Sequence, residues 1–129
     1  MELTIVSAKF LIDLEFFGHQ DPYIEFKYGG EEFTTTVKEE AGKYAEFNED
    51  FRLHKVKEFV WDKLTFMAKD ADVKGFKLIG TSEPLHMYDV LCKLKEGTTY
   101  RNHVDFFLKG KKSGMVNLEF YAHTLNSDV

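Results

Sequence analysis

The segment "PYIEFKYGGEEFTTTV", residues 22–37, decides the fold class. Apolar side chains fall at every second position of "PYIEFKY", which is the pattern of a strand with one buried face. Gly29 and Gly30 then interrupt the alternation, and β-branched residues resume it in "EFTTTV". Because a two-residue hairpin turn needs positive φ angles that glycine adopts without steric cost, the segment predicts an antiparallel hairpin.

The same alternation recurs on both sides of this hairpin and predicts about eight short strands. The chain is rich in aromatic residues, with 13 Phe and 6 Tyr, and these favour sheets. We therefore expect an all-β fold, an eight-stranded antiparallel β-sandwich of the Greek-key kind, formed by residues 1–129 as a single domain. The further segments are "LTIV" (3–6), "EFNEDFRL" (46–53), "KLTFMAK" (63–69), "GFKLIG" (75–80), "HVDFFL" (103–108) and "GMVNLEFYAH" (114–123).

One segment departs from the strand pattern. In "PLHMYDVLCKLKEG", residues 84–97, Met87, Leu91 and Leu94 recur at helical spacing. The segment opens after a proline and closes at Gly97, which are ordinary helix boundaries. We expect one short helix inserted between two late strands.

Composition excludes several classes of protein. A formal net charge of -5 opposes general nucleic-acid binding, because the phosphate backbone would be repelled on average. The single cysteine, Cys92, forms no internal disulfide, and we find no secretory signal and no apolar run of membrane-spanning length. The five histidines have no catalytic or zinc-binding motif around them, and no glycine-rich phosphate loop occurs. We expect a cytoplasmic protein that is not an enzyme and has no small-molecule substrate.

Four acidic residues lie where strands begin or end. Glu15 and Asp21 flank the turn before "PYIEF", and Asp70 and Asp72 form "DAD" after "KLTFMA". Residues two apart in an extended segment point the same way, so the two aspartates of "DAD" repel each other unless a cation lies between them. Calcium is the natural candidate because it takes six to eight oxygen ligands. The alternative is that these are solvated loop carboxylates.

Several short motifs occur together in one order: "EFFGHQDPYIEFKY", "FNEDF", "LTFMAKDAD", "KLIG" and "KGKKSGMVNLEFY". Together they resemble a C2 domain, a calcium- and lipid-binding β-sandwich module. The first strand leads directly into the "QDPY" loop and the chain closes with "GMVNLEFY", as in the type II topology of that family.

The resemblance implies a calcium site with two departures from the family pattern. Asp21, Asp70 and Asp72 fall on ligand positions, whereas Glu15 stands where the family usually has aspartate. Lys77 stands where a further aspartate is usual. This chain therefore either holds calcium weakly through four carboxylates, or Lys77 pairs with Asp70 or Asp72 in place of the ion.

The resemblance also implies that this end of the sandwich contacts membranes. Phe16 and Phe17 fall at the tip of the first acidic loop and Val73 at the tip of the second. Lys74 and Lys77 are close enough to reach anionic headgroups. The alternative is that one or both rings turn inward and cover the core.

Two other segments contain lysines that could contact anionic lipid headgroups. The strand segment "EEFTTTVKEE" has one lysine, Lys38, among several glutamates, which argues against a strong headgroup pocket there. The cluster "KGKK", residues 109–112, is interpreted as a solvated hairpin turn in preference to an auxiliary contact with an anionic surface.

Two functions remain open. The first is peripheral binding to an anionic phospholipid membrane, with or without calcium, through the aromatic loop tips. The second is a calcium-independent module that binds a protein partner and keeps only a degenerate calcium site.

Overall fold

The computed structural model describes residues 1–122, and this part of the chain forms nine strands and one short helix. The elements in chain order are β1 (Glu2–Lys9), β2 (Pro22–Tyr28), β3 (Glu31–Thr34), β4 (Ala45–Arg52), β5 (Lys63–Asp72), β6 (Gly75–Ser82), β7 (Leu85–His86), α1 (Met87–Lys93), β8 (Thr99–Leu108) and β9 (Lys111–Tyr121). Residues 123–129, including His123 and the end of the expected domain, lie outside the described residues.

The strands form two antiparallel layers, as the alternation predicted. Their hydrogen-bonded order is β3-β2-β5-β6-β8-β9-β1-β4, with β7 paired to the start of β5. Only two residue pairs, Thr81 with Phe107 and Ser82 with Phe106, join β6 to β8, so the sheet divides there into two layers of four strands. The antiparallel sandwich is confirmed, and β9 lies beside β1, which is the arrangement expected of the type II topology.

The hairpin that decided the fold class is present. Gly29 and Gly30 have φ angles of 59° and 84°, which fit a primed two-residue turn. The second strand is shorter than "EFTTTV" because β3 ends at Thr34. Thr35 still bonds to β2 through Ile24, but Thr36 turns to the opposite layer, where its amide and hydroxyl donate to Glu49 of β4 at 3.0 and 2.8 Å.

The inserted helix is present, between β7 and β8, but it spans only Met87–Lys93. The buried side chains are Met87, Val90 and Leu94, whereas Leu91 is only partly buried. The predicted helical spacing of Met87, Leu91 and Leu94 therefore includes one residue at the margin of the core and omits Val90, which is buried. Spacings of three and then four residues keep Met87, Val90 and Leu94 on one side of the helix, which leaves Leu91 at the margin.

Phenylalanine rings from four strands fill part of the core. Phe26 lies 5.1 Å from Phe66, 4.8 Å from Phe33 and 5.4 Å from Phe51, measured between ring centroids. Phe26 and Phe66 have no exposed surface. This packing fixes β2 against β5 and therefore the loops that adjoin these two strands at one end of the sandwich. Among residues 1–122 no helix has the length and hydropathy needed to cross a membrane.

Candidate functional site

Two loops carry the predicted site residues and meet at one pole of the sandwich. They are the β1–β2 loop (residues 10–21) and the β5–β6 turn (residues 73–74). The antiparallel pairing of β2 with β5 places Pro22 opposite Asp70, so the start of one strand and the end of the other share a pole. The amide of Ala71 also donates to the carbonyl of Asp21 at 3.0 Å. We call this end of the molecule the tip pole.

Gln20, fully buried, holds the β1–β2 loop in shape. Its side-chain amide donates to the carbonyls of Ile12 at 2.6 Å and Gly42 at 2.9 Å, and its oxygen accepts from the amide of Leu14 at 3.1 Å. A loop backbone needs such partners because it has no neighbouring strand. Sequence reasoning missed this residue, since a single glutamine before "DP" has no distinctive pattern.

The turn within this loop directs two rings outward. Asp13 accepts a hydrogen bond from the amide of Glu15 at 3.0 Å, which turns the chain, and Gly18 reverses it at a φ of 73°. Phe16 and Phe17 between them are 92% and 85% exposed. Their ring centroids lie 4.9 Å apart at an interplanar angle of 78°. The alternative in which a ring turns inward is wrong.

The β5–β6 turn adds a third apolar side chain to the tip pole. Val73 is fully exposed, at 101% of its reference surface, and Lys74 beside it is exposed as well. The carboxylate of Asp72 accepts from the amide of Lys74 at 2.8 Å, which fixes the turn. We call Phe16, Phe17, Val73 and Lys74 the tip residues.

Below the tip residues, Lys77 forms an ion pair with Glu15. Its Nζ lies 2.7 Å from Glu15 Oε2, although the two residues are 62 positions apart in the sequence. The hydrogen bond to Glu15, aided by the negative charges of Asp70 and Asp72, raises the pKa of Lys77. The predicted ion pair of Lys77 with Asp70 or Asp72 is therefore wrong, because the partner is Glu15. Lys77 lies opposite Asp70 across the strands, and its ammonium group reaches the carboxylate of the β1–β2 loop.

Asp70 is the one predicted acidic residue that is fully buried. Its Oδ1 accepts from the amide of Asp21 at 2.7 Å, whereas its Oδ2 is buried and has no hydrogen-bond partner. Burial raises the pKa of Asp70, the adjacent carboxylates of Glu15 and Asp21 raise it further, and the Asp21 amide opposes the rise. An uncompensated negative charge here is therefore unfavourable, and a cation or a proton would relieve it.

The two remaining carboxylates are engaged with backbone amides. Asp21 Oδ1 accepts from the amide of Glu40 at 2.6 Å, and Asp72 is held by its own turn. Within residues 1–122, no three His, Cys, Asp or Glu side chains are grouped so that they could hold a metal ion. Calcium requires six to eight oxygen ligands, and an ammonium group already lies among the carboxylates. Among the four predicted carboxylates, all within the described residues, Asp70 Oδ2 is the one oxygen that is buried and still lacks a partner. Taken together, the side chains do not fit a calcium shell in this arrangement.

A second lysine, on the outer face of the β3-β2-β5-β6 layer, is also neutralised within the chain. Lys69 is nearly buried, and its Nζ lies 3.0 Å from Glu25 Oε2 and 3.9 Å from the ring centroid of Phe76. Phe76 is 50% exposed and covers this lysine. Sequence reasoning missed Phe76, because its role depends on its contact with Lys69 of the neighbouring strand. Lys69 is therefore not free to bind an anion at this face.

The opposite pole carries a different pair of exposed aromatics. Trp61 precedes β5, whose ten residues span about 30 Å, so it lies far from the tip residues. Its ring stacks on that of Tyr88 of α1, with centroids 4.8 Å apart at 18°. Trp61 is 73% and Tyr88 is 47% exposed. This pair provides a comparison for the tip residues because it has similar chemistry at the other end.

Comparison with known proteins gives one family. A model of the C2 domain family matches residues 1–97. The first of the C2 domains, domain A, of plant extended synaptotagmin 1 superposes with a TM-score of 0.73 at 20% identity, covering 92% of this chain and 88% of that domain. A structure of the two C2 domains, A and B, of extended synaptotagmin 2 superposes with a TM-score of 0.71 at 17% identity, covering 93% of this chain and 39% of that one.

An enzyme chain also contains the fold. Human GIVD cytosolic phospholipase A2 matches with a TM-score of 0.68 at 17% identity, and the match covers 93% of this chain but 16% of the phospholipase. At such identities these structures show the fold alone. No curated protein sequence matches the chain.

Proposed function

The chain belongs to the C2 domain family, whose members commonly bind lipid and calcium, and on this premise we propose that it binds anionic phospholipid membranes by inserting its tip residues without a requirement for calcium. We further propose that residues 1–129 form one non-catalytic module of this kind, peripherally associated with membranes on the cytoplasmic side. The site residues of this proposal are Phe16, Phe17, Val73 and Lys74, with Glu15, Asp21, Asp70, Asp72 and Lys77 forming the base beneath them.

The single observation that carries this proposal is the exposure of three apolar side chains at one pole. Phe16, Phe17 and Val73 are 92%, 85% and 101% exposed, respectively. These side chains do not stabilise the fold while they are exposed to water. Moving each ring into an apolar phase is favourable by about 2 kcal/mol. Lys74 beside Val73 is able to contact anionic headgroups, where a lysine contributes about 1 kcal/mol.

The Lys77–Glu15 ion pair supports independence from calcium. In this arrangement the Lys77 ammonium supplies positive charge among the carboxylates at the base of the tip. A divalent ion entering there would be repelled by the ammonium group or would have to displace it. Membrane insertion of the rings then needs no bound ion to neutralise the base.

Liposome co-sedimentation tests the proposal. Vesicles of phosphatidylcholine with phosphatidylserine are mixed with the protein in millimolar calcium or in chelator. We expect equal pelleting in both, and a loss of at least tenfold in affinity for Phe16→Ala/Phe17→Ala, on the basis of about 2 kcal/mol for each ring. The matched control is Trp61→Ala/Tyr88→Ala, which removes two exposed rings at the opposite pole and should pellet like the parent.

Each part of the proposal has its own contrary result. Pelleting only with calcium contradicts calcium independence. An equal loss in the control variant contradicts insertion at the tip pole. No pelleting in either condition contradicts membrane binding altogether.

A second candidate function is a calcium-independent protein-interaction module. The observation that favours it is the stacked Trp61–Tyr88 pair, because exposed aromatic pairs are typical of the centres of protein interfaces. Trp61 is the one tryptophan in the sequence, so intrinsic fluorescence reports on this pole alone. An unchanged emission spectrum during vesicle binding leaves this pole available to a protein, whereas a blue shift would mean that it contacts the membrane itself.

A further inference from the structure

A cleft beside the β8–β9 hairpin combines an apolar floor with clustered positive charge. The hairpin turns at Lys109 and Gly110, whose φ angles are 52° and 78°, and Leu108 pairs with Lys111 across it. The cleft has a volume of about 370 Å³, which is in the size range of small-ligand pockets. It is lined by Ile12, Leu108, Lys109, Lys111, Lys112 and Ser113.

The positive charge of this cleft is largely uncompensated. Within residues 1–122, neither Lys109 nor Lys111 forms an ion pair, and both are exposed. Lys112 lies 3.3 Å from Asp105, and this is the sole carboxylate partner of the three lysines in the described chain. The chain as a whole carries a net charge of -5, so this concentration of positive charge contrasts with the overall charge.

The cleft is continuous with the loop that presents the tip residues. The amide of Ile12 donates to the carbonyl of Ser113 at 3.0 Å, which attaches the β1–β2 loop to the start of β9. Phe16 and Phe17 follow Ile12 by four and five residues in the same loop. Because Lys9 at the end of β1 pairs with Met115 near the start of β9, the β8–β9 hairpin and the β1–β2 loop lie at the same pole of the sandwich.

The lysine of the neighbouring layer does not compete for the same ligand. Lys69 is paired with Glu25 and covered by Phe76. The unpaired ammonium groups of Lys109 and Lys111 therefore attract an anion more strongly than Lys69 does.

We propose that this cleft, lined by Lys109, Lys111 and Lys112 over Ile12 and Leu108, binds the phosphomonoester headgroup of an anionic membrane lipid. A phosphomonoester carries between one and two negative charges and three terminal oxygens, which suits several ammonium groups at once. The apolar floor suits the glycerol and first methylene groups of the lipid. The inference rests on the proposed membrane function for its setting and adds a site outside the loops that carry the tip residues.

The test compares vesicles whose anionic lipids differ in headgroup. One set contains phosphatidic acid, which has a phosphomonoester, and the other contains phosphatidylserine, which has a phosphodiester, with the total vesicle charge matched. We expect the parent protein to prefer phosphatidic acid. Lys109→Ser/Lys111→Ser should lose this preference and bind phosphatidic acid on the order of 20-fold more weakly, at about fivefold for each lysine.

The matched control removes the same charge elsewhere. Lys57→Ser/Lys93→Ser takes away two exposed lysines near the opposite pole and should keep the preference. Equal weakening by both pairs of substitutions would mean that binding depends on general electrostatic attraction, and it would overturn the proposal that the cleft binds the headgroup. An unchanged preference in Lys109→Ser/Lys111→Ser would overturn it as well.

A soluble ligand separates this inference from the proposed function. Dihexanoyl phosphatidic acid below its micelle concentration should shift the backbone amide resonances of Ile12, Leu108 and Ser113 in a heteronuclear NMR spectrum. If these shifts occur in a protein that pellets with no vesicle, headgroup binding in the cleft is supported and insertion of the tip residues is contradicted. If pelleting depends on Phe16 and Phe17 but not on the hairpin lysines, and these shifts are absent, insertion is supported and headgroup binding in the cleft is contradicted.

Discussion

Two pairs of phenylalanines in this molecule have nearly the same distance between ring centroids, but one pair is buried and the other is exposed. Phe26 and Phe66 lie 5.1 Å apart in the core with no exposed surface. Phe16 and Phe17 lie 4.9 Å apart at the tip pole and are 92% and 85% exposed. Contact between rings therefore does not decide where they lie. The first pair belongs to strands that alternate, whereas the second is adjacent in sequence within a loop.

The sharpest test of this contrast is to remove one ring from the core. Phe66→Ala should destabilise the protein by about 3–5 kcal/mol, because it removes buried apolar surface and leaves a cavity between Phe26 and its neighbours. Urea denaturation followed by circular dichroism measures the loss. Phe17→Ala is the matched control and should retain the parent midpoint. A small loss for Phe66→Ala would mean that the core rearranges to fill the space.

The second test concerns the ion pair beneath the exposed rings. Lys77→Asp replaces the ammonium group with a fifth carboxylate, in addition to those of Glu15, Asp21, Asp70 and Asp72. We expect the melting temperature in chelator to fall by several degrees because these negative charges repel one another. Millimolar calcium should then raise it, since the substitution restores an oxygen ligand and removes the repulsive cation.

Lys74→Asp is the matched control for this substitution. It makes the same change of charge three residues away, at an exposed side chain with no carboxylate partner in the described chain. Its melting temperature should not respond to calcium. An equal calcium response in the two variants would show that the effect does not depend on the position of Lys77.

A smaller effect should come from the buried carboxyl group. Because burial raises the pKa of Asp70, the folded protein binds a proton more readily than the unfolded chain does. Stability contributed by this group is therefore present below the unfolded pKa and is lost as pH rises through the folded pKa. Asp70→Asn keeps an acceptor for the Asp21 amide without the charge and should therefore raise the melting temperature at pH 7.

The pH profile of the same variant identifies the cause. The advantage of Asp70→Asn over the parent should shrink as the pH is lowered and the parent Asp70 becomes protonated. Asp72→Asn is the control, since Asp72 is exposed and should give no comparable gain. Destabilisation by Asp70→Asn at pH 7 would show that the charged form is the stabilising one.

The sequence predicted the strands better than the loops, for a physical reason. Alternation reports burial directly, so the hairpin at Gly29 and Gly30 and the antiparallel sandwich followed from it. The inner face of α1 was partly misjudged, because Val90 and Leu91 are adjacent and similar in hydropathy.

The base of the tip depends on long-range contacts that local patterns do not encode. Lys77 departs visibly from the family pattern, but its partner, Glu15, is 62 positions away and lies in a different loop. Gln20 and Phe76 were missed for the same reason, since each acts through residues on other segments.

The smallest expected effect is the one that separates the two phenylalanine pairs most clearly. Phe16→Ala/Phe17→Ala should change the free energy of unfolding by no more than about 0.5 kcal/mol, since neither ring packs against the core. The same urea titration that measures Phe66→Ala measures this. A loss of stability comparable to that of a core substitution would mean that the rings support the fold and are not available for a membrane. Unchanged stability together with weakened vesicle binding would assign their whole effect to the bound state.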